Sequence, residues 1–344
     1  RLHLGRGAPA DVNTRGGRAP QLVRQGTVLM TLGFVFPGQG SQSVGMLDGF
    51  AGSPAVQTLL EQADAALGES LSTLIAQGPA ETLSLTVNTQ PAMLAAGYAS
   101  WLAWRDAGGP APVAVAGHSL GEYTALTMAG ALDVADALRL VRLRAQAMQE
   151  AVPVGQGGMA AILGLDDDAV RQACREAAAP GEIVEPANYN APSQVVIAGH
   201  RQAVDRACER ARALGAKRAL PLAVSAPFHS SLLRPAGERL AQALATIELR
   251  APRVPLVNNV DAAVESEPAR IRDALVRQAY GPVRWVEVVQ RLKSLGVTRV
   301  IEFGPGKVLA GLVARIDRSL RVAAVYDPAS LDAALDETAR QGAT

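Results

Sequence analysis

Cysteine and histidine are both scarce in this chain: its 344 residues include two cysteines and four histidines. Cys174 and Cys208 are too few for a disulfide framework, and their spacing is not that of a metal site. Both lie in charged segments with a helical pattern. We therefore expect free thiols in a reducing compartment, the cytoplasm. Neither a metal site nor a bound cofactor is expected.

Long apolar runs and an excess of charge of one sign are also missing. No run approaches the roughly 20 apolar residues of a membrane span, so no membrane partner is expected. The formal net charge is +1, and the totals therefore give no indication of a nucleic-acid partner. With 49% hydrophobic and 19% charged residues, the composition is typical of one large globular domain or two smaller ones.

The first 29 residues differ in composition from the rest of the chain. They are rich in Arg, Gly and Pro, with five Arg against one Asp, and they show no sustained period. A leader, a targeting peptide and a native disordered arm are the three interpretations of such a segment. It lacks the amphipathic, Ser-rich character of transit peptides, so we interpret residues 1–29 as a leader.

From Met30 onward, short apolar runs alternate with helical patterns, which predicts an α/β fold with a mainly parallel sheet. Residues 155–224 depart from this alternation and follow the order βαββαβ, the ferredoxin-like plan. We therefore predict an α/β core made of residues 30–154 and 225–344, with a ferredoxin-like subdomain inserted at 155–224. Asn188 and Asn190 fall at one end of the insert, where they form a turn or, alternatively, contact a substrate.

The strongest chemical signal is a G-x-S-x-G sequence between a predicted strand and a predicted helix. The buried-strand pattern Pro112–Ala116 runs directly into the sequence GHSLG, residues Gly117–Gly121. In this context the motif is typical of a nucleophile elbow, with Ser119 projecting from a tight turn and glycines removing Cβ atoms that would clash. The N–H of Leu120 would point into the same space, where negative charge is favoured. The alternative is a glycine-rich turn without chemistry.

A nucleophilic serine needs a base, and four histidines are available. His3 lies in the leader, His118 adjoins Ser119 and should point into packing, and His200 has a surface pattern. His229 stands at the junction between insert and core, where active sites often lie, and it is the predicted base. No acid is well placed between Ser119 and His229 to orient the imidazole, so a neutral acceptor such as a backbone carbonyl is an option.

A predicted helix from Asp133 to about Ala151 carries an arginine on its apolar side. At about 100° per residue, Arg144 falls between Leu140 and Met148. A buried guanidinium needs an anion to offset its desolvation. Two partners are open at this point: an acid in the core, or a carboxylate on the substrate.

Taken together, the motifs resemble those of the malonyl-CoA:acyl-carrier-protein transacylases, which load malonyl groups for fatty-acid synthesis. The resemblance covers Met30 to the C-terminus, and the leader has no counterpart in it. It is carried by eight segments in this order: FVFPGQGSQ (Phe34–Gln42), GHSLGEY (Gly117–Tyr123), RLRAQAMQEAVP (Arg142–Pro153), NYNAPSQVVIAG (Asn188–Gly199), APFHS (Ala226–Ser230), VNNVD (Val257–Asp261), ALVRQAYGPVRW (Ala274–Trp285) and EFGPGKVL (Glu302–Leu309).

The resemblance implies a hydrolase-like core with a ferredoxin-like insert and a set of catalytic roles. Ser119 would be the nucleophile and His229 its base. The backbone N–H groups of Gln39 and Leu120 would form the oxyanion hole. Gln278 would offer its backbone carbonyl to His229 in place of an acid. No metal or bound cofactor takes part in this scheme.

The resemblance also implies the substrate contacts and the partners. Arg144 would hold the free carboxylate of the malonyl group. Our own hypothesis, from its position beside His229, is that Phe228 narrows the pocket against branched acyl groups. The partners would be malonyl-CoA and the phosphopantetheine arm of acyl carrier protein. Carrier proteins are usually acidic, so Lys217, Arg218 and Lys307 are the candidate docking residues. We expect a monomer.

Two other classes of protein remain as alternatives. A serine esterase or thioesterase would use the same elbow with water as acceptor, which leaves Arg144 unexplained. A non-catalytic carrier-binding protein would not be acylated at all.

Overall fold

The computed structural model describes residues 30–342; the predicted leader, residues 1–29, and His3 within it lie outside the described residues. The described chain forms nine strands and thirteen helices. The strands are β1 Leu32–Phe36, β2 Ala114–Gly117, β3 Gly157–Leu163, β4 Val184–Ala191, β5 Gln194–His200, β6 Arg218–Pro221, β7 Leu256–Val257, β8 Arg299–Phe303 and β9 Arg321–Val325. The helices are α1 Pro54–Leu67, α2 Leu71–Gln77, α3 Ala80–Leu83, α4 Thr86–Asp106, α5 Gly121–Met128, α6 Val134–Glu150, α7 Asp167–Ala177, α8 Arg201–Ala213, α9 Arg234–Thr246, α10 Pro268–Tyr280, α11 Trp285–Ser294, α12 Val308–Ile316 and α13 Pro328–Gly342.

Five parallel strands in the order β7-β2-β1-β8-β9 form the central sheet. Every residue of β1, with the sequence LGFVF, is buried, as a strand covered on both faces requires. Because side chains alternate along a strand, Phe34 and Phe36 pack into the core on the side of α4, α5 and α6. Val35 faces the opposite core, formed with α11 and α12. The predicted parallel α/β core is thus a three-layer arrangement.

The second sheet is antiparallel, with the order β4-β5-β3-β6. Together with α7 and α8 it follows the chain order βαββαβ, so the predicted ferredoxin-like subdomain is confirmed. Cys174 and Cys208 are buried free thiols in its core, and burial raises the pKa of Cys174 to about 12. The proposed division of the chain at residues 155 and 224 stays a prediction.

One turn of the subdomain lies elsewhere than the sequence predicted. Strand β4 extends to Ala191, so Asn188 and Asn190 belong to the strand. The reversal is made by the next two residues, and Ser193 has the positive φ of 59° that the tight turn demands. A turn at Asn190 was therefore the wrong interpretation: this asparagine lies within β4, at an irregularity of the pairing with β5 between Tyr189 and Ala191.

The two sheets together position the candidate site. Strands β1 and β2 run parallel, so their carboxyl ends meet at one edge of the central sheet, the usual place for a site in this fold class. The loops after these strands lie beside residues of β3, β5 and the segment that follows β6 in a shared cavity. None of the helices within residues 30–342 is both long enough and apolar enough to cross a membrane.

Candidate active site

The turn between β2 and α5 carries Ser119 and is as tight as the motif predicts. Ser119 has a φ of 52°, a left-handed conformation that costs a non-glycine residue free energy. A Cβ atom on Gly117 would lie 1.9 Å from the backbone of Gly121, and one on Gly121 would lie 1.9 Å from the carbonyl oxygen of Phe36. Only glycine fits at either flank, so the serine is held at the apex of a strand-to-helix turn.

Ser119 and His229 are brought into hydrogen-bond contact. The Oγ of Ser119 lies 2.7 Å from Nε2 of His229, and Nδ1 of His229 lies 2.8 Å from the backbone carbonyl oxygen of Gln278. Because a carbonyl can only accept, Nδ1 carries the proton and Nε2 offers its lone pair to the serine hydroxyl. This is the tautomer that a general base needs.

Burial keeps the imidazole of His229 neutral. Its side chain is almost fully buried, and desolvation, followed by the nearby positive charge of Arg144, lowers the pKa of His229 to about 3. A neutral imidazole at physiological pH can take the proton of the serine. The same burial favours return of that proton to a leaving group once it has been taken.

Arg144 on α6 points at the serine, and no acid within residues 30–342 forms a salt bridge with it. Its Nη1 donates to Oε1 of Gln90 at 2.7 Å, and its Nη2 donates to Oγ of Ser119 and Oε1 of Gln278, both at 3.0 Å. The side chain is 1% exposed, and its Nε has no hydrogen-bond partner in the part of the chain that the structure describes. Burial lowers the pKa of Arg144, yet guanidinium remains a cation.

Three further buried polar side chains hold the backbone on both sides of the nucleophile. Asn259 accepts from the N–H of Ser119 at 2.7 Å and donates to the carbonyl of Gly117 at 2.6 Å. Nε2 of Gln278 donates to the carbonyl of Ser119 at 3.0 Å. Glu122 accepts from both of these residues, and desolvation raises the pKa of Glu122 to about 7.

A cavity of about 320 Å³ opens in front of Ser119. Gln39 and Leu120 line it, and the backbone N–H groups of these two residues donate to no acceptor within residues 30–342. They are therefore available to a ligand. The ring of Phe228, 6% exposed, forms part of the wall. The rest comes from the loops after β1 and β2, from α4, α6 and α12, and from the subdomain. The subdomain supplies these residues: Met159, Asn188, Asn190, Val196, Leu222 and Val224.

The remaining sequence candidates lie around this cavity or away from it. His118 packs against Trp285, with ring centroids 5.4 Å apart, and its Nε2 lies 2.7 Å from Oδ1 of Asn190. His200 is half-buried and accepts from the N–H of Ile183, so its surface interpretation was only partly right. Lys217, Arg218 and Lys307 are exposed, and none of these three lines the cavity.

Gln90, Asn259 and Glu122 were not recognised from the sequence. Glu122 did leave a signal: it is the only charged residue of α5, and every residue from Gly121 to Thr127 is buried. An acid in an otherwise uncharged, buried helix needs hydrogen-bond partners inside the protein. Gln90 and Asn259 left no comparable signal, because neutral amides are equally common on surfaces.

The arrangement can carry out acyl transfer through a serine ester. It combines a serine bonded to a neutral imidazole, two free backbone N–H groups beside it, and a guanidinium 3.0 Å from the serine oxygen. The first two features serve attack on a carbonyl and stabilisation of the resulting oxyanion. The third lies where a carboxylate close to the reacting carbonyl would bind.

Comparison with known proteins agrees with this geometry. The family model described as acyl transferase domain matches residues 33–329. The malonyl CoA-acyl carrier protein transacylase of Salmonella typhimurium is 54% identical over 305 residues, which covers 88% of this chain and 98% of the relative. The protein of the same name from Bacillus subtilis is 46% identical over 305 residues, with 88% and 96% coverage.

Solved structures show the same relationship. An acyl-carrier-protein S-malonyltransferase from Burkholderia pseudomallei is 62% identical, with a TM-score of 0.87 over 89% of this chain and all of that one. A malonyl-transacylase solved in complex with its type II PKS acyl-carrier protein is 51% identical, with a TM-score of 0.87 and coverage of 89% and 99%. The chain therefore belongs to the acyl transferase domain family, and within it to the malonyl CoA-acyl carrier protein transacylases.

Proposed function

We propose that this protein transfers the malonyl group of malonyl-CoA to the phosphopantetheine thiol of acyl carrier protein through a malonyl-serine intermediate. The observation that carries the proposal is the placement of an un-neutralised, buried guanidinium, that of Arg144, within 3.0 Å of a serine oxygen that lies 2.7 Å from an imidazole. The names of the relatives point to the same donor and acceptor.

The first half-reaction acylates the serine. Oγ of Ser119 attacks the thioester carbonyl carbon while Nε2 of His229 takes the hydroxyl proton. The negative charge on the carbonyl oxygen is stabilised by the N–H groups of Gln39 and Leu120, each worth roughly 3 kcal/mol in sites of this type. The carbon–sulfur bond then breaks, and the departing thiolate of coenzyme A receives the proton from His229.

The second half-reaction runs the same steps with a different thiol. The phosphopantetheine thiol gives its proton to His229 and attacks the malonyl-serine ester. The second tetrahedral oxyanion occupies the same two N–H groups. Collapse returns the proton to the serine oxygen, so free enzyme and malonyl carrier protein are the products of a ping-pong cycle.

Arg144 supplies selection for malonyl over acetyl. In a malonyl thioester the carboxylate is joined to the reacting carbonyl through a single CH₂ group, so a carboxylate bound at Arg144 leaves the carbonyl beside Ser119. An acetyl group would leave the guanidinium desolvated and unpaired, which sites of this kind disfavour strongly. Phe228 limits the space next to His229, and we propose that it excludes acyl groups branched at that carbon.

Intact-mass analysis after treatment with malonyl-CoA tests the nucleophile. The protein should gain one malonyl group. Ser119→Ala should gain none, because Ser119 carries the hydroxyl that is hydrogen-bonded to the base, His229. A malonyl adduct that persists in Ser119→Ala would exclude Ser119. Acylated enzyme that decays to free malonate without a carrier protein would favour the esterase alternative.

A panel of acyl-CoAs tests the substrate contacts. Arg144→Ala should reduce malonyl-enzyme formation at least 100-fold more than acetyl-enzyme formation, on the order expected for a bidentate ion pair in a dry pocket. Arg299→Ala is the matched control, because Arg299 is equally buried but lies on β8 away from the cavity. Phe228→Ala should admit methylmalonyl-CoA. Equal losses of malonyl and acetyl transfer in Arg144→Ala would remove the proposed role.

The cellular setting follows from the same proposal. We expect the protein to act in the cytoplasm as a monomer, with malonyl-CoA and acyl carrier protein as its partners. Gel filtration against the mass of 35.7 kDa tests the oligomeric state.

A further inference from the structure

The mechanism above leaves one buried charged group of the site without a task. Glu122 lies on α5, three residues beyond the nucleophile, and is 1% exposed. Its Oε2 accepts from the backbone N–H of Asn259 at 3.0 Å and from Nε2 of Gln278 at 2.8 Å. A carboxylate is rarely buried without strong reason, so its two contacts indicate what it does.

Both donors to Glu122 come from residues that also hold the backbone of the nucleophile. The side chain of Asn259 accepts from the N–H of Ser119, and the side chain of Gln278 donates to the carbonyl of the same residue. The peptide groups on the two sides of Ser119 are thus held by the side chains of two residues that both donate to Oε2 of Glu122, Asn259 through its backbone N–H and Gln278 through its amide. Glu122 is the common anchor of this arrangement.

The anchor determines which way the amide of Gln278 points. The NH₂ end of that amide faces three acceptors, Glu122 at 2.8 Å, the carbonyl of Ser119 at 3.0 Å and Oδ1 of Asn259 at 3.3 Å, so the oxygen end faces Nη2 of Arg144. A 180° rotation would set NH₂ against the guanidinium and oxygen against these acceptors. Without Glu122, the nearest acceptor that opposes this rotation, and the one that carries a carboxylate charge, is gone.

The direction of that amide matters for the charge of Arg144. Oε1 of Gln90 binds one terminal nitrogen of the guanidinium and Oε1 of Gln278 binds the other. Two neutral oxygens orient the cation without cancelling its charge, whereas a carboxylate in direct contact would compete with the substrate. Glu122 instead contacts the amide of Gln278, and that side chain separates the acid from Arg144.

We propose that Glu122 is a positioning residue that fixes the direction of the Gln278 amide and thereby aims the guanidinium of Arg144 at the substrate carboxylate. The inference rests on the role proposed for Arg144. It separates Glu122 from the residues that touch the acyl group. It also explains why an acid is buried in the first turn of α5.

The test compares the rates of malonyl-enzyme and acetyl-enzyme formation, which are measured by quenched-flow mass spectrometry. Glu122→Leu removes the acceptor and should lower the malonyl-to-acetyl ratio by about tenfold, the effect of one hydrogen bond to a charged group. Glu122→Gln keeps an acceptor oxygen at the same distance and should hold the ratio within about threefold of the unmodified protein. A residue that served folding alone would lower both rates alike.

Asp64→Leu is the matched control. Asp64 is a half-buried carboxylate that accepts from the N–H and Oγ of Ser72 on the neighbouring helix, so its loss reports the general cost of removing such a group. If circular dichroism shows that Glu122→Leu does not fold, Glu122→Asp, which withdraws the acceptor by one methylene, should lower the ratio by about threefold.

Arg144→Ala in the same assay distinguishes the two proposals. A collapsed ratio in Arg144→Ala with an unchanged ratio in folded Glu122→Leu would overturn the inference about Glu122 alone. An unchanged ratio in Arg144→Ala would overturn the role of the arginine and the inference with it.

Discussion

At the scale of single residues, both reacting residues have an unfavourable backbone conformation. Ser119 and His229 have φ values of 52° and 60°, in the left-handed region that costs a non-glycine residue on the order of 1 kcal/mol or more. Such conformations persist only where surrounding contacts determine them. For Ser119 these contacts are the amides of Asn259 and Gln278, and for His229 the carbonyl of Gln278.

The depressed pKa of His229 predicts a flat pH profile for acylation. With the pKa lowered to about 3, the imidazole is unprotonated throughout pH 5–8. The rate constant of malonyl-enzyme formation should therefore change by less than about threefold between pH 8 and pH 5, with no step near the ordinary histidine value of about 6.5.

Quenched-flow measurement of the malonyl adduct at each pH checks this expectation. A free histidine base would lose nearly tenfold for each pH unit below about 6.5. A profile with that slope in both the unmodified protein and Glu122→Gln, in which the second group near pH 7 does not ionise, would show that the imidazole is solvated during the reaction. Circular dichroism at each pH is the control for folding.

Residue chemistry in the site was predictable where a local pattern carried it. The elbow motif identified Ser119 as the nucleophile, and elimination among four histidines identified His229 as the base. Helical spacing placed Arg144 on the apolar side of its helix. The side chain of Gln278 was different: the resemblance implied only its backbone carbonyl, yet its amide contacts Arg144, Ser119 and Glu122. These contacts join parts of the chain more than 130 residues apart, which no local pattern encodes.

At the scale of elements, α12 is capped by an acid from the sheet. Glu302 lies on β8 and is fully buried, and its Oε2 accepts from the N–H of Ala310 at 2.7 Å. Negative charge at a helix N-terminus is stabilising. Desolvation nevertheless outweighs the backbone hydrogen bonds and raises the pKa of Glu302 to about 7. Val308, Leu309 and Leu312 of this helix line the cavity.

The raised pKa predicts how this helix cap affects stability. Between its ordinary value of 4.5 and about 7, the folded state holds a proton that the unfolded chain has released. The contribution of Glu302 to the free energy of unfolding therefore falls as pH rises through this window. Glu302→Gln, which does not ionise, should gain on the order of 3 kcal/mol relative to the unmodified protein between pH 4.5 and pH 8.

Urea unfolding of both proteins at several pH values measures this difference. Subtracting one curve from the other removes the contribution of Glu122, whose pKa is shifted in the same direction. Parallel curves across the window would show that Glu302 ionises at its ordinary pKa in the folded protein.

Most element bounds followed from caps and periodicity. The helical patterns of the sequence predict helices at about Pro54–Leu67 and Pro91–Ala107. Helix α1 has the first pair of bounds, and Asp133 caps α6 by accepting from the N–H of Ala135. Helix α4 shows where such patterns fail, because it begins at Thr86, five residues before Pro91. Proline is typical of a first turn, and here burial of α4 between other elements overrides that preference.

At the scale of the whole molecule, the candidate docking residues fall into two groups. Lys307 directly precedes Val308, which lines the cavity. Lys217 and Arg218 lie at the far end of the subdomain sheet, where Arg218 pairs with Leu163. That is four residues, or about 13 Å, along β3 from the cavity residue Met159.

We therefore expect Lys307 to contribute more than Lys217 to carrier binding. Lys307→Glu should raise the KM for acyl carrier protein by about tenfold at low salt and Lys217→Glu by less, since Lys307 adjoins a cavity-lining residue and so lies closer to a carrier whose arm enters the cavity, and screening weakens a charge interaction with distance. The first half-reaction isolates binding of malonyl-CoA, and Lys217→Glu should leave it unchanged. Steady-state transfer kinetics at two salt concentrations measure both effects.

Arg105→Glu is the control for charge reversal. Arg105 is exposed near the end of α4, and the chain from there enters β2 at the amino edge of the central sheet, opposite the site. If Lys307→Glu and Arg105→Glu alter the KM equally, the docking residues are elsewhere.

The order of elements could be predicted from the sequence, but the position of the subdomain sheet beside the central sheet at the cavity could not. The order of strands and helices predicted a parallel core and a βαββαβ insert. Parallel pairing of β8 with β9 and the capping helix α13 were not predicted, because β9 has few fully buried residues and no strong alternation. Nothing in the order of elements states that side chains of β3 and β5 border the cavity.

The two parts of the fold contribute different kinds of residue to the pocket. The parallel sheet and its helices carry the reacting serine, its guanidinium neighbour and the amides behind them, whereas the antiparallel sheet and the segment after β6 contribute the apolar side chains of Met159, Val196, Leu222 and Val224. The wall can consequently be reshaped by exchanges confined to the insert, with the bond-making atoms undisturbed. The same catalytic residues can in this way serve acyl pockets of different shapes.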